Sequence, residues 1–213
     1  MLEIFSLLGL GFLLGLEHSL NADHLAVIST ITSKSNSFNK ALVEGLYWGI
    51  GHTGILIITG MIVLSSHFII PEKIANIFEM TVGIMLIFLG TKNIFGYKKN
   101  LLHKHESEKV HAHPHKGVHI HHHKSFWIGI VHGLAGSAAL MLIILTTIKS
   151  TTVGILYIAI FGLGSILSMS FMSFLISMPS VFLTKKFPKI QSTITLATNM
   201  IAILIGIRHI YSL

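Results

Sequence analysis

The chain has 213 residues, of which 52% are hydrophobic and only 11% are charged, and its mean hydropathy is +0.75. This composition excludes an ordinary soluble domain and is typical of a protein with several membrane spans. The absence of cysteine excludes disulfides and thiolate metal sites, and the net charge of +7 comes from lysines between apolar segments, which gives no reason to expect a nucleic-acid partner.

Six apolar segments are long enough to cross the roughly 30 Å hydrocarbon core of a bilayer. The sequence predicts an all-α membrane protein with spans at about 3–32, 41–66, 73–96, 125–148, 152–183 and 190–212. Residues 1–96 and 125–213 are predicted to form two three-helix halves, and residues 97–124 a flexible hydrophilic loop between them. Because Glu3 replaces the basic start of a signal peptide, the first apolar segment is expected to be a retained span.

The first span contains the polar motif EHSLNADH at 17–24, which includes the only aspartate of the chain. An ionisable side chain at mid-bilayer costs about 2.5–3.5 kcal/mol on insertion scales, so several together require compensation, which a divalent cation supplies. The alternative is that these groups hydrogen-bond neighbouring helices. We predict a metal site at His18, Asp23 and His24, with Glu17 and Asn21 beside it.

A regular helix cannot aim these three side chains at one ion. At about 100° per residue, His18 and Asp23 lie about 140° apart, and His18 and His24 lie about 240° apart. The sequence therefore predicts either that the first helix is unwound near Ser19–Ala22 or that other spans complete the site. Discontinuous helices of this kind form the ion sites of transporters.

The two halves share motifs at nearly constant offsets, which indicates an internal duplication. The pattern G-x-x-H-x-L at 15–20 recurs at 129–134, an offset of 114. Two further matches relate 49–52 to 162–165 and 90–94 to 206–210, at offsets of 113 and 116. Since each half has three spans, the second copy must lie inverted, which predicts a 3+3 inverted repeat. Coincidence among glycine-rich apolar helices is the alternative.

Polar residues of later spans extend the candidate site. His52 is a predicted ligand because its glycine neighbours allow close helix approach; the alternative is a histidine hydrogen-bonded to a nearby backbone. His132 is the repeat counterpart of His18, but no acid follows it, so we expect the second half to line the pathway. The residues predicted to lie along the pathway or behind the ligands in these spans are Glu44, Thr53, His132, Ser137 and Ser165.

The predicted loop is rich in histidine. Its seven strongest candidates for auxiliary metal binding are His111, His113, His115, His119, His121, His122 and His123. Closely spaced imidazoles suit borderline divalent metals such as Ni, Co, Zn or Cu(II). We expect the loop to buffer or sense the ion; the alternative is a solvated low-complexity linker.

Lysine placement predicts the orientation. The links at 33–40, 97–124 and 184–189 carry most of the lysines and would share one side of the membrane. Because Lys and Arg mark the cytoplasmic side, we expect a multi-pass protein of the cytoplasmic membrane with both termini outside and the histidine-rich loop inside.

These motifs resemble those of a known family. The pattern His18-x4-Asp23-His24 resembles the signature of the nickel/cobalt transporter (NiCoT/NicO) family, and 51–53 resembles its glycine–histidine motif. Residues 132–138 and 161–165 resemble the shorter six-span branch related to urease-accessory membrane proteins. The resemblance implies secondary transport of Ni(II) or Co(II), with the first motif central, His52 supporting, and delivery to nickel-enzyme maturation proteins. The acidic motifs that longer members carry in their later half are absent here.

Transport of a divalent ion is the predicted function, and ion and direction stay open. Imidazole with carboxylate suits Ni(II) or Co(II), and Zn(II) fits nearly as well. Alternating access is the expected mode of transport, and the membrane potential, about 2.3 kcal/mol per charge per 100 mV, favours uptake slightly. Efflux is the alternative, because a histidine-rich loop resembles the efflux members. A membrane-embedded metallohydrolase is disfavoured by the lack of an HExxH pair, so neither enzyme activity nor a catalytic cofactor is expected. The sequence does not indicate an oligomeric state.

Overall fold

The computed structural model describes the backbone of residues 2–32, 35, 37–66, 70–102, 122–148, 150–183 and 187–212, with side chains except at 97–102, 122, 136–147, 183, 188 and 189. Within these ranges the chain is all-helical. Its helices are α1 (Leu2–His18), α2 (Ala22–Thr32), α3 (Phe38–Ser66), α4 (Glu72–Leu102), α5 (His122–Thr147), α6 (Thr151–Leu183) and α7 (Pro188–Tyr211).

The helices coincide with the six apolar segments that the sequence predicts as spans, and the first of these segments is broken where the sequence predicts. Helices α1 and α2 meet at a bend of 56°, across the break at Ser19–Asn21. Four of the described helices, α3, α4, α6 and α7, are long and apolar enough to cross a bilayer, and the bent pair adds a fifth crossing if it is one span. Helix α5, with 26 residues, covers the fourth predicted span.

The segment predicted as a loop at 97–124 is helical at both ends. Helix α4 continues to Leu102 and α5 begins at His122. Residues 97–102 contain no proline or glycine, and lysine and leucine are good helix formers, so the helix extends beyond the apolar stretch. The rest of this segment lies outside the described residues, and its predicted flexibility and metal binding stay predictions.

Glycines bring several helices into backbone contact, most closely α1 with α6 and α3 with α5. A Cβ atom at Gly15 of α1 would overlap the carbonyl of Phe161 in α6, and one at Gly129 of α5 would overlap the carbonyl of Trp48 in α3. Small residues at helix interfaces are what permit such close approach in membranes. These glycines therefore hold α1 on α6 and α3 on α5.

The order of these contacts gives the relative direction of the helices. Gly11 of α1 lies against Tyr157 of α6, and Gly15 lies against Phe161, so these two helices are parallel. Helices α3 and α5 also run the same way, because their contacts advance from Trp48 to His52 along α3 and from Gly129 to Gly133 along α5.

Helices α4 and α7 form an antiparallel pair. Gly83 lies against Gly206, whereas Gly90, further along α4, lies against the earlier residue Asn199 of α7. Helices α3 and α6 are also antiparallel, with Gly45 near residues 169 and 173 and Gly49 near 166. Helix α2 packs mainly on α7 and α6, so the two pieces of the broken span have different main partners.

Two buried apolar clusters lie at different levels along α3. One cluster includes Leu56, and the other includes Trp48. His52 lies between them, four residues from each, and therefore on the same face of α3. The level between the two clusters is where the candidate site forms.

Candidate metal centre

The break in the first span is stabilised by hydrogen bonds. The N–H of Leu20 donates to the carbonyl of Glu17 at 2.8 Å, and the Ser19 hydroxyl donates to the carbonyl of Leu16 at 3.0 Å and is hydrogen-bonded to Ser168 of α6. In lipid, backbone polar groups must be satisfied within the protein. Ser19 therefore helps to satisfy the backbone groups that the interruption leaves without helical partners.

The break allows both ends of the motif to face one point. His18 is the last residue of α1, and Asp23 lies in the first turn of α2, where the helix N-terminus stabilises a negative charge. The bend turns His24 back toward His18, and their ring centroids are 4.5 Å apart. The angular conflict of an unbroken helix is thereby removed.

Four histidine rings, from α1, α2, α3 and α5, form an enclosed cluster. The ring centroid of His24 lies 4.5 Å from that of His18, 5.2 Å from that of His52 and 4.2 Å from that of His132. His24, His52 and His132 are at most 2% exposed, and His18 is half-buried. The structure thus brings the first-span motif together with two histidines of other spans.

Asp23 joins two of these histidines through its carboxylate. His24 Nδ1 lies 3.2 Å from Oδ1, and His132 Nε2 lies 3.0 Å from Oδ2. Because an ionised carboxylate only accepts hydrogen bonds, both of these ring nitrogens must carry the hydrogen and donate. In neutral rings the lone pairs then lie on His24 Nε2 and His132 Nδ1, and both atoms are buried with no hydrogen-bond partner described.

The unpaired nitrogens suit a metal ion. Two groups, His18–His24–His52 and Asp23–His24–His132, each place one donor atom per residue within 4.8 Å of the others. The first group includes His18 Nε2, His24 Nε2 and both nitrogens of His52 among its unpaired buried atoms. A buried polar atom left without a partner costs about 1–3 kcal/mol. Imidazole nitrogens suit Zn, Cu, Fe and Ni ions, so the donor set fits a borderline divalent metal.

Trp48 covers one side of the cluster. Its fully buried ring lies 5.5 Å from that of His24, 5.7 Å from that of His132 and 6.3 Å from that of His52. Sequence reasoning did not assign Trp48 a role, although a residue four positions before a predicted ligand shares its helix face. The contact between Asp23 and His132 was also not predicted, because it depends on how α5 is rotated.

Other predicted site residues have different surroundings. The Thr53 hydroxyl donates to the carbonyl of Gly162 at 3.2 Å, and the Ser165 hydroxyl donates to the carbonyl of Gly15 at 3.0 Å, so both join helices. Glu44 lies beside a separate cavity. The remaining predicted residues are Glu17, Asn21 and His123, which are exposed, and Ser137, His122 and His111–His121, whose side chains lie outside the described residues.

Comparisons with known proteins give the family. Residues 47–207 match the family described as "Cytochrome C biogenesis protein transmembrane region". The chain is 35% identical to "Urease accessory protein UreH" of Bacillus sp. (strain TB-90), over 99% of this chain and 93% of that protein. No solved structure matches the chain.

Two plant proteins are more distant relatives. "Chloroplast protein FOR GROWTH AND FERTILITY 2" of Arabidopsis thaliana is 26% identical over 99% of this chain, and "Chloroplast protein FOR GROWTH AND FERTILITY 1" is 24% identical over 95%. The chain spans 57% and 58% of their lengths. By its match over most of its length and its identity to the Bacillus protein, the chain belongs to the cytochrome c biogenesis transmembrane-region family and to the UreH-type membrane proteins.

Proposed function

We propose that this protein carries Ni(II) across the membrane, with Co(II) as a second candidate ion, and that the histidine cluster binds the ion partway through. The observation that carries the proposal is the group of His18, His24 and His52, which come from three helices, place one donor nitrogen each within 4.8 Å of the others, and have buried nitrogens without a described hydrogen-bond partner. Neutral imidazoles replace the hydration of the ion, and the Asp23 carboxylate offsets part of its charge. The ion is then the cargo of the protein and not a resident cofactor.

Within the cluster, Asp23 is not itself a ligand of the ion but hydrogen-bonds to two of the histidines. Its oxygens already accept hydrogen bonds from His24 and His132, and a carboxylate in this position fixes the tautomer and raises the basicity of a metal-binding histidine. The alternative donor group, in which Asp23 binds the ion directly, would require the carboxylate to leave at least one of these hydrogen bonds. The geometry therefore favours the three histidine nitrogens as ligands.

Reciprocal helix contacts support a 3+3 inverted repeat. At the repeat offsets, Gly15 corresponds to Gly129 and Trp48 corresponds to Phe161, and the contact of Gly15 with Phe161 is matched by that of Gly129 with Trp48. The antiparallel pairs α3–α6 and α4–α7 each join a span to its own counterpart. A two-fold axis in the membrane plane relates such halves, and transporters bind their ions at the interface of such repeats.

The distribution of lysines supports a cytoplasmic-membrane topology with both termini outside. The links at 33–37, 103–121 and 184–187 fall on one side if each of the six spans crosses once, and they contain or adjoin most of the lysines. An inside-negative potential then favours inward movement of a divalent cation.

The relatives support nickel as the ion. The relative with 35% identity is named for a role as a urease accessory protein, which links this type of membrane protein to nickel handling. The resemblance of the first motif to nickel/cobalt transporters points the same way. We therefore propose uptake of nickel and its delivery to maturation proteins of nickel enzymes. The names of the relative and of the family designate accessory or membrane proteins, which fits a protein that is not an enzyme.

Efflux of the same ions is a second candidate function. It is favoured by the histidine-rich segment at 103–123, which resembles that of the efflux members of the nickel/cobalt family. The two directions give opposite results in cells: loss of an importer lowers cellular nickel, whereas loss of an exporter raises it.

The test is nickel transport by the purified protein in liposomes. Wild-type protein should accumulate radioactive nickel, and His52→Ala should abolish accumulation and, when the seven candidate histidines of the loop are replaced by serine, saturable binding as well, because it removes a ligand of the first donor group. His209→Ala on α7, outside the cluster, is the matched control and should retain both. Accumulation by His52→Ala at the wild-type rate would contradict the proposal.

A further inference from the structure

The close contacts of glycines join α1, α3, α5 and α6 into a four-helix group and join α4 to α7 as a pair. For every described glycine that makes a close contact, the nearest atoms of another helix belong to the same group. The four-helix group carries His18, His52 and His132, whereas His24 lies on α2, which packs both on α7 of the pair and on α6 of the group. Helix packing alone therefore leaves open what fixes His24 in the cluster.

The side-chain amide of Asn93 in α4 holds the C-terminal end of α2. Its Nδ2 donates to the carbonyl of Thr30 at 2.8 Å. Since α2 ends at Thr32, this carbonyl is one of the last four of the helix, which have no N–H partner within the helix. The Thr30 side chain is buried, so this contact lies inside the protein. Asn93 thus joins α2 to α4 where the helical hydrogen bonds of α2 end.

Asn199 of α7 fixes the orientation of the Asn93 amide. Asn93 Nδ2 also donates to Asn199 Oδ1 at 3.1 Å, and Asn199 Nδ2 donates in turn to the carbonyl of Thr195 at 2.6 Å. Asn199 is fully buried. A Cβ atom at Gly90, one turn before Asn93 on α4, would lie 2.8 Å from the carbonyl oxygen of Asn199, so the two helices are in close contact here. The α4–α7 pair therefore keeps the Asn93 amide directed at α2.

The anchored end of α2 determines where its other end lies. Thr30 follows His24 by six residues, which corresponds to about 9 Å along a helix. Helix α2 has 11 residues, and residues 19–21 separate it from α1. Because so short a helix moves as a rigid element, a shift at Thr30 is passed on to Asp23 and His24.

His24 is the histidine for which such a shift matters most. It belongs to both donor groups, and its ring centroid lies 4.5 Å from that of His18, 5.2 Å from that of His52 and 4.2 Å from that of His132. These three partners belong to the four-helix group and do not follow α2. A displaced α2 would therefore withdraw one ligand and leave the others in place.

We propose that Asn93 is a positioning residue for the metal centre: by joining the end of α2 to the α4–α7 pair, its amide sets the place of His24 against the histidines of the four-helix group. The inference rests on the proposed binding of nickel by this cluster. Asn93 is not a ligand, because its contact with Thr30 lies about 9 Å from His24 along α2, and it acts on the ion only through this helix.

The first test measures nickel affinity. Asn93→Leu keeps a side chain of similar size but cannot donate to Thr30, and it should raise the dissociation constant for nickel about 3–30-fold. Ser165→Ala, which removes a hydrogen bond from α6 to α1 and leaves those of α2 in place, is the matched control and should bind like the wild type. Quenching of Trp48 emission in a Trp127→Phe background gives the dissociation constant, at a temperature at which every variant is fully folded, so a loss of stability alone cannot change it. A value for Asn93→Leu within about twofold of that for Ser165→Ala would overturn the role of Asn93.

The second test measures the position of α2 without metal. Because the chain has no cysteine, Leu10→Cys on α1 and Ala22→Cys on α2, both at exposed positions, can be labelled specifically with nitroxides. Asn93→Leu should shift or broaden the distribution of distances between the two labels, measured by electron paramagnetic resonance, and Ser165→Ala should not. A distribution in Asn93→Leu identical to that of the wild type would overturn the inference.

The inference and the proposed function fail separately. A wild-type protein whose Trp48 emission shows no saturable response to nickel would refute the proposed function. Saturable nickel binding that Asn93→Leu leaves unchanged would refute only the positioning role.

Discussion

Asp23→Asn is the substitution that decides how the carboxylate contributes to metal binding. In the wild type, both oxygens of Asp23 accept hydrogen bonds, from His24 and from His132. An asparagine has one oxygen and one amino group, so it can accept from only one of the two rings. The other ring must present a lone pair to the amide, and its hydrogen moves to the nitrogen that was available to the metal.

The expected loss of nickel affinity follows from the role of Asp23 in orienting a metal-binding histidine. Removing a group that orients a metal-binding histidine typically weakens binding 10–100-fold, which corresponds to about 1.4–2.8 kcal/mol. Asp23→Asn should therefore bind nickel with a dissociation constant raised by about that factor, but saturably. His24→Ala should lose saturable binding, because His24 belongs to both donor groups.

Tryptophan fluorescence provides the assay. The chain has two tryptophans, and Trp127 is 63% exposed, so Trp127→Phe leaves Trp48 as the only indole. Because Trp48 lies within 6.3 Å of three cluster rings, Ni(II) bound there should quench its emission. Glu79→Gln in the same background controls for a carboxyl-to-amide change.

Two results would refute the reasoning. If Asp23→Asn bound nickel with the same dissociation constant as Glu79→Gln in the fluorescence titration, the carboxylate would not orient His24. If it lost saturable quenching as completely as His24→Ala, Asp23 would be a direct ligand.

Three further predictions concern packing and the histidine-rich segment. Gly129→Val should lower the free energy of unfolding by about 1–3 kcal/mol, because the valine side chain would overlap the backbone of Trp48. Gly54→Val, at a position with open space, is the control and should not lower it. Thermal unfolding in detergent measures both variants. Ser165→Ala should lower the free energy of unfolding by about 0.6–1.7 kcal/mol, because it removes a hydrogen bond between helices. The nickel concentration that gives half of the Trp48 quenching should stay unchanged. Replacing the seven candidate histidines of the loop by serine should lower the nickel bound per chain, measured by equilibrium dialysis, but leave the initial rate of accumulation near wild type; loss of transport would show that the segment is essential.

The sequence was sufficient to predict the helices and the break. Apolar length locates candidate spans, and the six predicted segments agree with the observed helices to within a few residues outside the histidine-rich segment, although only four helices and the bent pair are long and apolar enough to cross a bilayer. The break near Ser19 was predictable because the angles of an intact helix cannot bring His18 and His24 to one point. Local geometry was enough in both cases.

The rotation of the helices was not predictable in the same way. In a soluble helix the apolar stripe marks the buried face, but in this chain lipid-facing and buried positions are both apolar, so periodicity carries little information. For that reason Glu44 could not be placed in its own cavity, nor Thr53 and Ser165 on neighbouring carbonyls. His132 was recognised through the repeat, which relates positions without reference to hydropathy.

The separate packing of the two pieces of the first span has a mechanical consequence. Helix α1 lies along α6, whereas α2 lies mainly on α7 and α6, so a displacement of α2 relative to α1 would change the distance between His18 and His24. An ion bound by both rings would bridge α1 and α2 across the break. Binding of the ion would then restrict the movement of α2 relative to α1. Conversely, that movement would weaken binding of the ion, so the conformational change and the release of the ion would be coupled.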